Sequence, residues 1–168
     1  EENLRLLAAA NGLYSRAKRI QLFGSTLSIL LAFLAVILLY VSQTAGTWLG
    51  AVAGGWILLS RLVFQPWRDR KKLEGARAQE AFDCGVFNLN WNLSLAKRLS
   101  LEEIRNASKN KDIETFRAWY PQEITRSWPN SVLICQRSNA VWARRQNSLY
   151  AIFFALMTLV MAAAGMAL

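Results

Sequence analysis

The chain has 168 residues, 54% of them hydrophobic and 18% charged, with a net charge of +9, two cysteines and no histidine. The missing imidazole removes the usual general base, the physiological pH switch and the commonest metal ligand. Two distant cysteines do not make a zinc site, so neither a metal nor a cofactor is expected.

Residues 1–19 carry Leu4, Leu7, Asn11, Tyr14 and Lys18 at helical spacing, which predicts an amphipathic helix. Its basic cluster Arg16, Lys18 and Arg19 is placed at a membrane edge. From Ile20 to Ser60, 41 consecutive residues carry no charge. As one helix this run would be about 60 Å long, about twice the hydrocarbon thickness of a bilayer. The small, polar stretch 42–47 divides it into a two-span hairpin over residues 20–64, with Tyr40 and Trp48 at the outer interface. The run is too long for a cleaved signal peptide, and a second span follows directly. Gly46, Gly50 and Gly54 lie four apart on one face of the second span, where backbones can approach closely. Their expected role is packing inside the hairpin, ahead of a dimerisation face. The spans carry no ionisable residue, which argues against a charge-lined channel. Their few hydroxyls, such as Ser28 and Thr158, are expected to bond their own backbone.

Pro66 suits the first turn of a new helix, running to about Phe82. Residues 83–92, rich in Asn, Gly and aromatics, read as an extended or looping segment. Ser100-Leu101-Glu102-Glu103 fits a capping box and starts the next helix. A further short helix is expected from Asp112 to about Trp119, and Pro121 and Pro129 punctuate the link to the last one. That helix runs from about Asn130 into a second uncharged stretch, residues 146–168. Its alanines, Ala151, Ala155, Ala162 and Ala163, suit close packing in lipid. The chain does not begin with Met and ends in an apolar stretch, as expected of a piece of a longer protein.

The charge is uneven. Residues 61–145 hold sixteen Lys/Arg and nine Asp/Glu, a net +7, and residues 1–19 hold four and two, a net +2. Basic flanks stay cytoplasmic, so the N-terminus and the 65–145 insert are expected inside and the 42–47 turn outside. Reduced thiols are then expected at Cys84 and Cys135. The expected fold is an all-α membrane protein: a hairpin, a small mostly helical cytoplasmic insert, and a third span at 146–168. The basic balance has two readings: topology and anionic headgroups, or a site for an anionic ligand such as a nucleotide.

Several blocks, in order, resemble one family. They are Leu6-Leu7-Ala8-Ala9-Ala10 through Tyr14 and Lys18, the stretch from Ala76 to Phe87, and Leu89-Asn90-Trp91-Asn92. Trp119-Tyr120-Pro121 and the stretch from Ile134 to Trp142 complete the set. Together they resemble the SMODS-associated four-transmembrane effectors, pore-forming proteins of bacterial anti-phage defence. The resemblance implies an oligomeric effector in the bacterial inner membrane, activated by a cyclic oligonucleotide. It also implies a fourth span beyond the chain end.

For that ligand, Arg137 offers a phosphate fork, Asn139 a donor and an acceptor, and Trp142 a stacking face. Asp83, Asn90, Trp91 and Asn92 would complete the pocket. The structural alternative pairs Arg137 with Asp83 and buries Trp91 and Trp142 in a small core. No glycine-rich phosphate loop and no catalytic carboxylate pair is present, so an enzyme is not expected, nor a DNA or RNA partner. The rival function is a membrane-anchored scaffold whose insert binds a protein partner without permeation.

Overall fold

Where the helices of this chain stop is decided by a few capping and breaking residues. The computed structural model describes residues 1–94, 96–117, 119–120 and 129–166. Pro121, Glu123 and Leu168, and the side chain of Tyr40, lie outside the described residues. No strand occurs among the described residues, and the protein is an all-α membrane protein. Three helical stretches are long and apolar enough to cross a bilayer: Glu2–Ala35, Thr44–Phe87 and Asn130–Ala163. The chain divides into two units, Glu1–Arg117 and Ala118–Leu168.

In the first unit, α1 spans Glu2–Val41 without interruption. The expected N-terminal helix and first span are therefore one rod. The turn is sharper than the 42–47 stretch suggested. Only Ser42 leaves the helix, at φ −166° and ψ 129°, and its hydroxyl accepts from Ala45 N–H at 3.4 Å to cap the next helix. That helix, α2, spans Gln43–Leu59. The hairpin is clasped by a polar relay: Trp56 Nε1 donates to Ser28 Oγ at 2.9 Å, and Ser28 Oγ donates to Gly24 O at 2.9 Å. Thr158 likewise donates to Phe154 O, so both hydroxyls bond their own helix as expected.

After α2 the chain takes one wide π-type turn, Ser60–Phe64, and continues as α3, Gln65–Phe87. Proline lacks an N–H and crowds the carbonyl four residues back, which an ordinary turn would not tolerate. The wide turn accommodates Pro66, and the helix goes on. α3 also runs through Asp83 to Phe87, where a loop was expected. It ends at Asn88 in the left-handed region, φ 54°, a conformation asparagine tolerates.

The first half of α1 packs on α3 and α4 rather than presenting a free amphipathic face. The buried stripe is Leu7, Ala8, Ala9, Ala10, Leu13 and Ala17, whereas Tyr14 is 38% exposed and Lys18 is exposed. Small residues bring the helices close. Ala9, Ala10, Leu13, Ala78 and Ala107 form the core, with Leu99 and Ile104 against it. The seam includes Gly75, where a Cβ would meet the Tyr14 ring at 3.1 Å.

Burial, with the Asp83 charge second, pushes the Tyr14 phenol above its usual value of 10.0. The folded state thus disfavours the phenolate. Above the unfolded value the unfolded chain loses its proton first, so this contribution is present below that value and falls away as pH rises. Tyr14→Phe is expected to melt like the parent at about pH 9 and to lose less stability by about pH 11. Paired melting curves at the two pH values check this.

α4, Leu101–Ser108, starts on the expected capping box. Glu103 N–H donates to Ser100 Oγ, and Ser100 N–H to Glu103 Oε2 at 2.7 Å. The expected helix at Asp112–Trp119 is only one 3₁₀ turn, Glu114–Phe116. Asp112 there accepts from Glu114 N–H and Thr115 Oγ1, which satisfies the turn without extending it.

The second unit is built on α5, Asn130–Met166, which joins a polar first half to an apolar second half with no break. Val132 and Cys135 are buried, whereas Leu149, Phe153, Leu156 and Leu159 are exposed, as lipid-facing residues are.

Candidate functional site

The residues expected to form one nucleotide pocket fall into two groups, one in each unit. Arg137, Asn139 and Trp142 lie on α5. At about 100° per residue, Asn139 and Trp142 point about 60° apart, and Arg137 points about 140–160° away from them. The helix itself therefore separates the proposed phosphate fork from the stacking ring. Asn139 is half-buried and donates from Nδ2 to Tyr120 Oη at 3.1 Å. Trp142 is 62% exposed, so it belongs to no core.

The other group lies in the first unit. Asp83 sits on α3, half-buried, with its charge felt at Tyr14. Asn90 is exposed. Asn92 Oδ1 accepts from Ser94 N–H at 3.0 Å, closing a local turn. Trp91 Nε1 donates to Ala96 O at 2.9 Å, and the Arg98 guanidinium lies 5.4 Å from the Trp91 ring centroid. That contact leads to a feature that reading the sequence did not single out.

Beside Trp91, a cleft of about 440 Å³ opens between α3 and the N-terminal end of α4. Its walls carry Arg77 from α3, Lys97 and Arg98 from the preceding loop, and Glu102, Glu103 and Asn106 from α4. None of the three cations makes a salt bridge among the described residues. The Nε of Arg77 is buried without a hydrogen-bond partner there. Glu103 is committed to its cap: the Ser100 N–H holds its carboxyl below the usual range, helped by Lys97 and Arg77. The signal was present in the sequence as Lys97-Arg98 just before a capping box. Nothing local, however, brings in Arg77, twenty residues upstream.

The cysteines look structural. Cys84 is 8% and Cys135 1% exposed. Burial, then the Glu80 carboxylate, pushes the Cys84 thiol above its usual value, against the pull of Arg98. A raised pKa at a buried site makes a poor nucleophile.

Gly50 and Gly54 do not pack inside the hairpin as expected. A Cβ built at Gly50 or Gly54 meets nothing within 4 Å. Gly50 and Gly54 are themselves exposed, so this side of α2 is open within its unit.

Compared with known proteins, residues 1–168 match the family model of the SMODS-associating 4TM effector domain. The chain is also 32% identical to a probable CBASS effector molecule of Bacillus cereus (strain VD146), over 85% of its own length and 51% of that protein's. It thus spans about half the length of the curated relative it matches. No solved structure matches it.

Proposed function

The chain belongs to the SMODS-associating 4TM effector family, and on that premise we propose that it is an anti-phage defence effector of the bacterial inner membrane. In this reading a cyclic oligonucleotide binds the insert, copies assemble, and the bilayer is breached. The protein performs no enzymatic step.

The observation that carries the reading is helical continuity. The second span runs through the wide turn into α3, whose far part packs against α1 and lines the cationic cleft. A ligand that binds one arrangement of the insert more tightly than another biases the spans by that difference. The test is dye release from liposomes carrying the full-length protein, with a panel of cyclic oligonucleotides. Release with one of them is the expected result. Binding to a protein partner with no release for any of them would favour a membrane-anchored scaffold instead.

Orientation follows the basic flanks. A cysteine placed at Thr44 is expected to react with an impermeant thiol reagent from outside intact cells, and one at Lys109 is not. Labelling at Lys109 would invert the topology.

Assembly is the proposed use of the open glycine side of α2. Gly50→Leu is expected to melt like the parent, since its Cβ enters open space. It is also expected to give smaller assembled species and less dye release, because close helix approach needs small residues. Cross-linking in liposomes reads this directly, and parent-like assembly would remove the face from the interface.

A further inference from the structure

We propose that the cleft between α3 and α4, with Arg77, Lys97, Arg98 and Asn106, is where the chain reads a phosphodiester-linked nucleotide. This rests on the triggered-effector reading above and gives the trigger an address.

Arg77, Lys97 and Arg98 converge on one cleft without a salt-bridge partner among the described residues. Charged donors are costly to bury unpaired, and Arg77 keeps its Nε buried with no acceptor. An anion in the cleft would offset that cost through its charge. The cleft volume, about 440 Å³, lies within the range of small-molecule sites.

The lining is not purely cationic, and that sharpens the ligand class. Glu102 faces the cleft as an acceptor, and Asn106 supplies both a donor and an acceptor. Glu103 is already held by the Ser100 cap. Acceptors next to a cationic cluster suit a ligand that carries N–H or O–H donors beside its phosphates. Nucleobases and riboses do. The Trp91 ring lies under the Arg98 guanidinium and holds that cation beside the cleft.

A lipid headgroup shares the phosphodiester. However, Arg77 stands thirteen residues beyond Phe64, about 20 Å along a helix. That distance exceeds the roughly 8 Å reach of surface charge at physiological salt.

The test uses the full-length protein in phosphatidylcholine nanodiscs, as parent, Lys97→Gln, Arg77→Gln and Arg137→Gln. The probes are inorganic pyrophosphate and a panel of cyclic di-AMP, cyclic di-GMP and cyclic tri-AMP. Pyrophosphate is expected to raise the melting temperature of the parent and not of Lys97→Gln or Arg77→Gln. The oligonucleotide that triggers dye release is expected to bind both about tenfold to a hundredfold more weakly. Lys97 is exposed, so its variant folds even if Arg77→Gln does not.

Unchanged affinity in Lys97→Gln, or affinity lost only in Arg137→Gln, would overturn the site. Release triggered by an oligonucleotide whose affinity no cleft variant alters would end the site and leave the effector reading standing. Pyrophosphate stabilisation lost in the cleft variants, with no oligonucleotide bound by the parent, would keep the anion site and end the trigger. Phosphatidylglycerol nanodiscs that reproduce the pyrophosphate shift and block the nucleotide would assign the cleft to a headgroup and overturn the proposal.

Discussion

Gly12→Leu is expected to detach α4 from α1. A Cβ at Gly12 would overlap the carbonyl oxygen of Ala107, and backbone cannot step aside as a side-chain tip can. The two helices must separate, and the separation has company. Arg16 Nη2 donates to Asn106 O at 2.8 Å, and Lys111 Nζ to Ser15 Oγ at 3.4 Å, across the same seam. Both contacts need the close approach that Gly12 allows. An isolated helix of eight residues is marginal in water, so α4 depends on this dock. The cost is expected at the upper end of the ~1–3 kcal/mol typical of overpacked cores. Hydrogen exchange should lose protection over Leu101–Ser108 while α5 keeps its own, and melting should begin earlier. Parent-like exchange in that segment would show that the seam opens without penalty.

Leu13→Ala is expected to be as damaging by the opposite route. Leu13 is 4% exposed and is the largest side chain among the buried members of its cluster, the rest being alanines. Alanine neighbours have no side-chain length with which to fill a void, so the cavity would persist. Truncations of this kind cost about 2–5 kcal/mol. The partly buried Leu99 and Ile104 pack on the same cluster and Leu99 lines the cationic cleft, so ligand affinity should weaken along with stability. Denaturant midpoints in detergent for Leu13→Ala and for Leu62→Ala make the comparison. Leu62 is 73% exposed, and its truncation should leave the midpoint near the parent's.

The membrane part of this fold was legible because charge is locally scarce there: a run of 41 uncharged residues admits few readings. Ser100 and Glu103 were legible for a different reason, since a capping box is complete within four residues. What failed was whatever depended on distant partners. Asp83 to Phe87 have little helical character of their own. Their helix is held by Phe82, Cys84 and Phe87, which are buried in the packed unit, a tertiary override of local preference. Leu4, Leu7, Asn11, Tyr14 and Lys18 drew attention by their helical spacing, yet of these only Leu7 is buried. The chain instead buries its alanines, because the partner helices come close enough to need them. The residues expected to form one pocket do not come together for the same reason. Arg137, Asn139 and Trp142 are neighbours in sequence and not on one face of their helix. Arg77 and Lys97 are far apart in sequence and share a cleft.

The wide turn at Ser60–Phe64 also has a bearing on helical phase. Trp56 and Phe64 are eight positions apart, and an uninterrupted α-helix would point them about 80° from each other. Absorbing one extra residue subtracts about 100° and brings them almost into line. Their ring centroids are in fact 5.5 Å apart, with Phe23 completing a trio at 6.3 and 5.8 Å. The turn therefore works as an angular offset between the apolar rod and its polar continuation. Regularising the turn to plain α-helix at unchanged chain length would swing α3 by roughly a quarter of a revolution, carrying Gly75 and Ala78 off the face that meets α1, whereas deleting one residue within it would keep the phase.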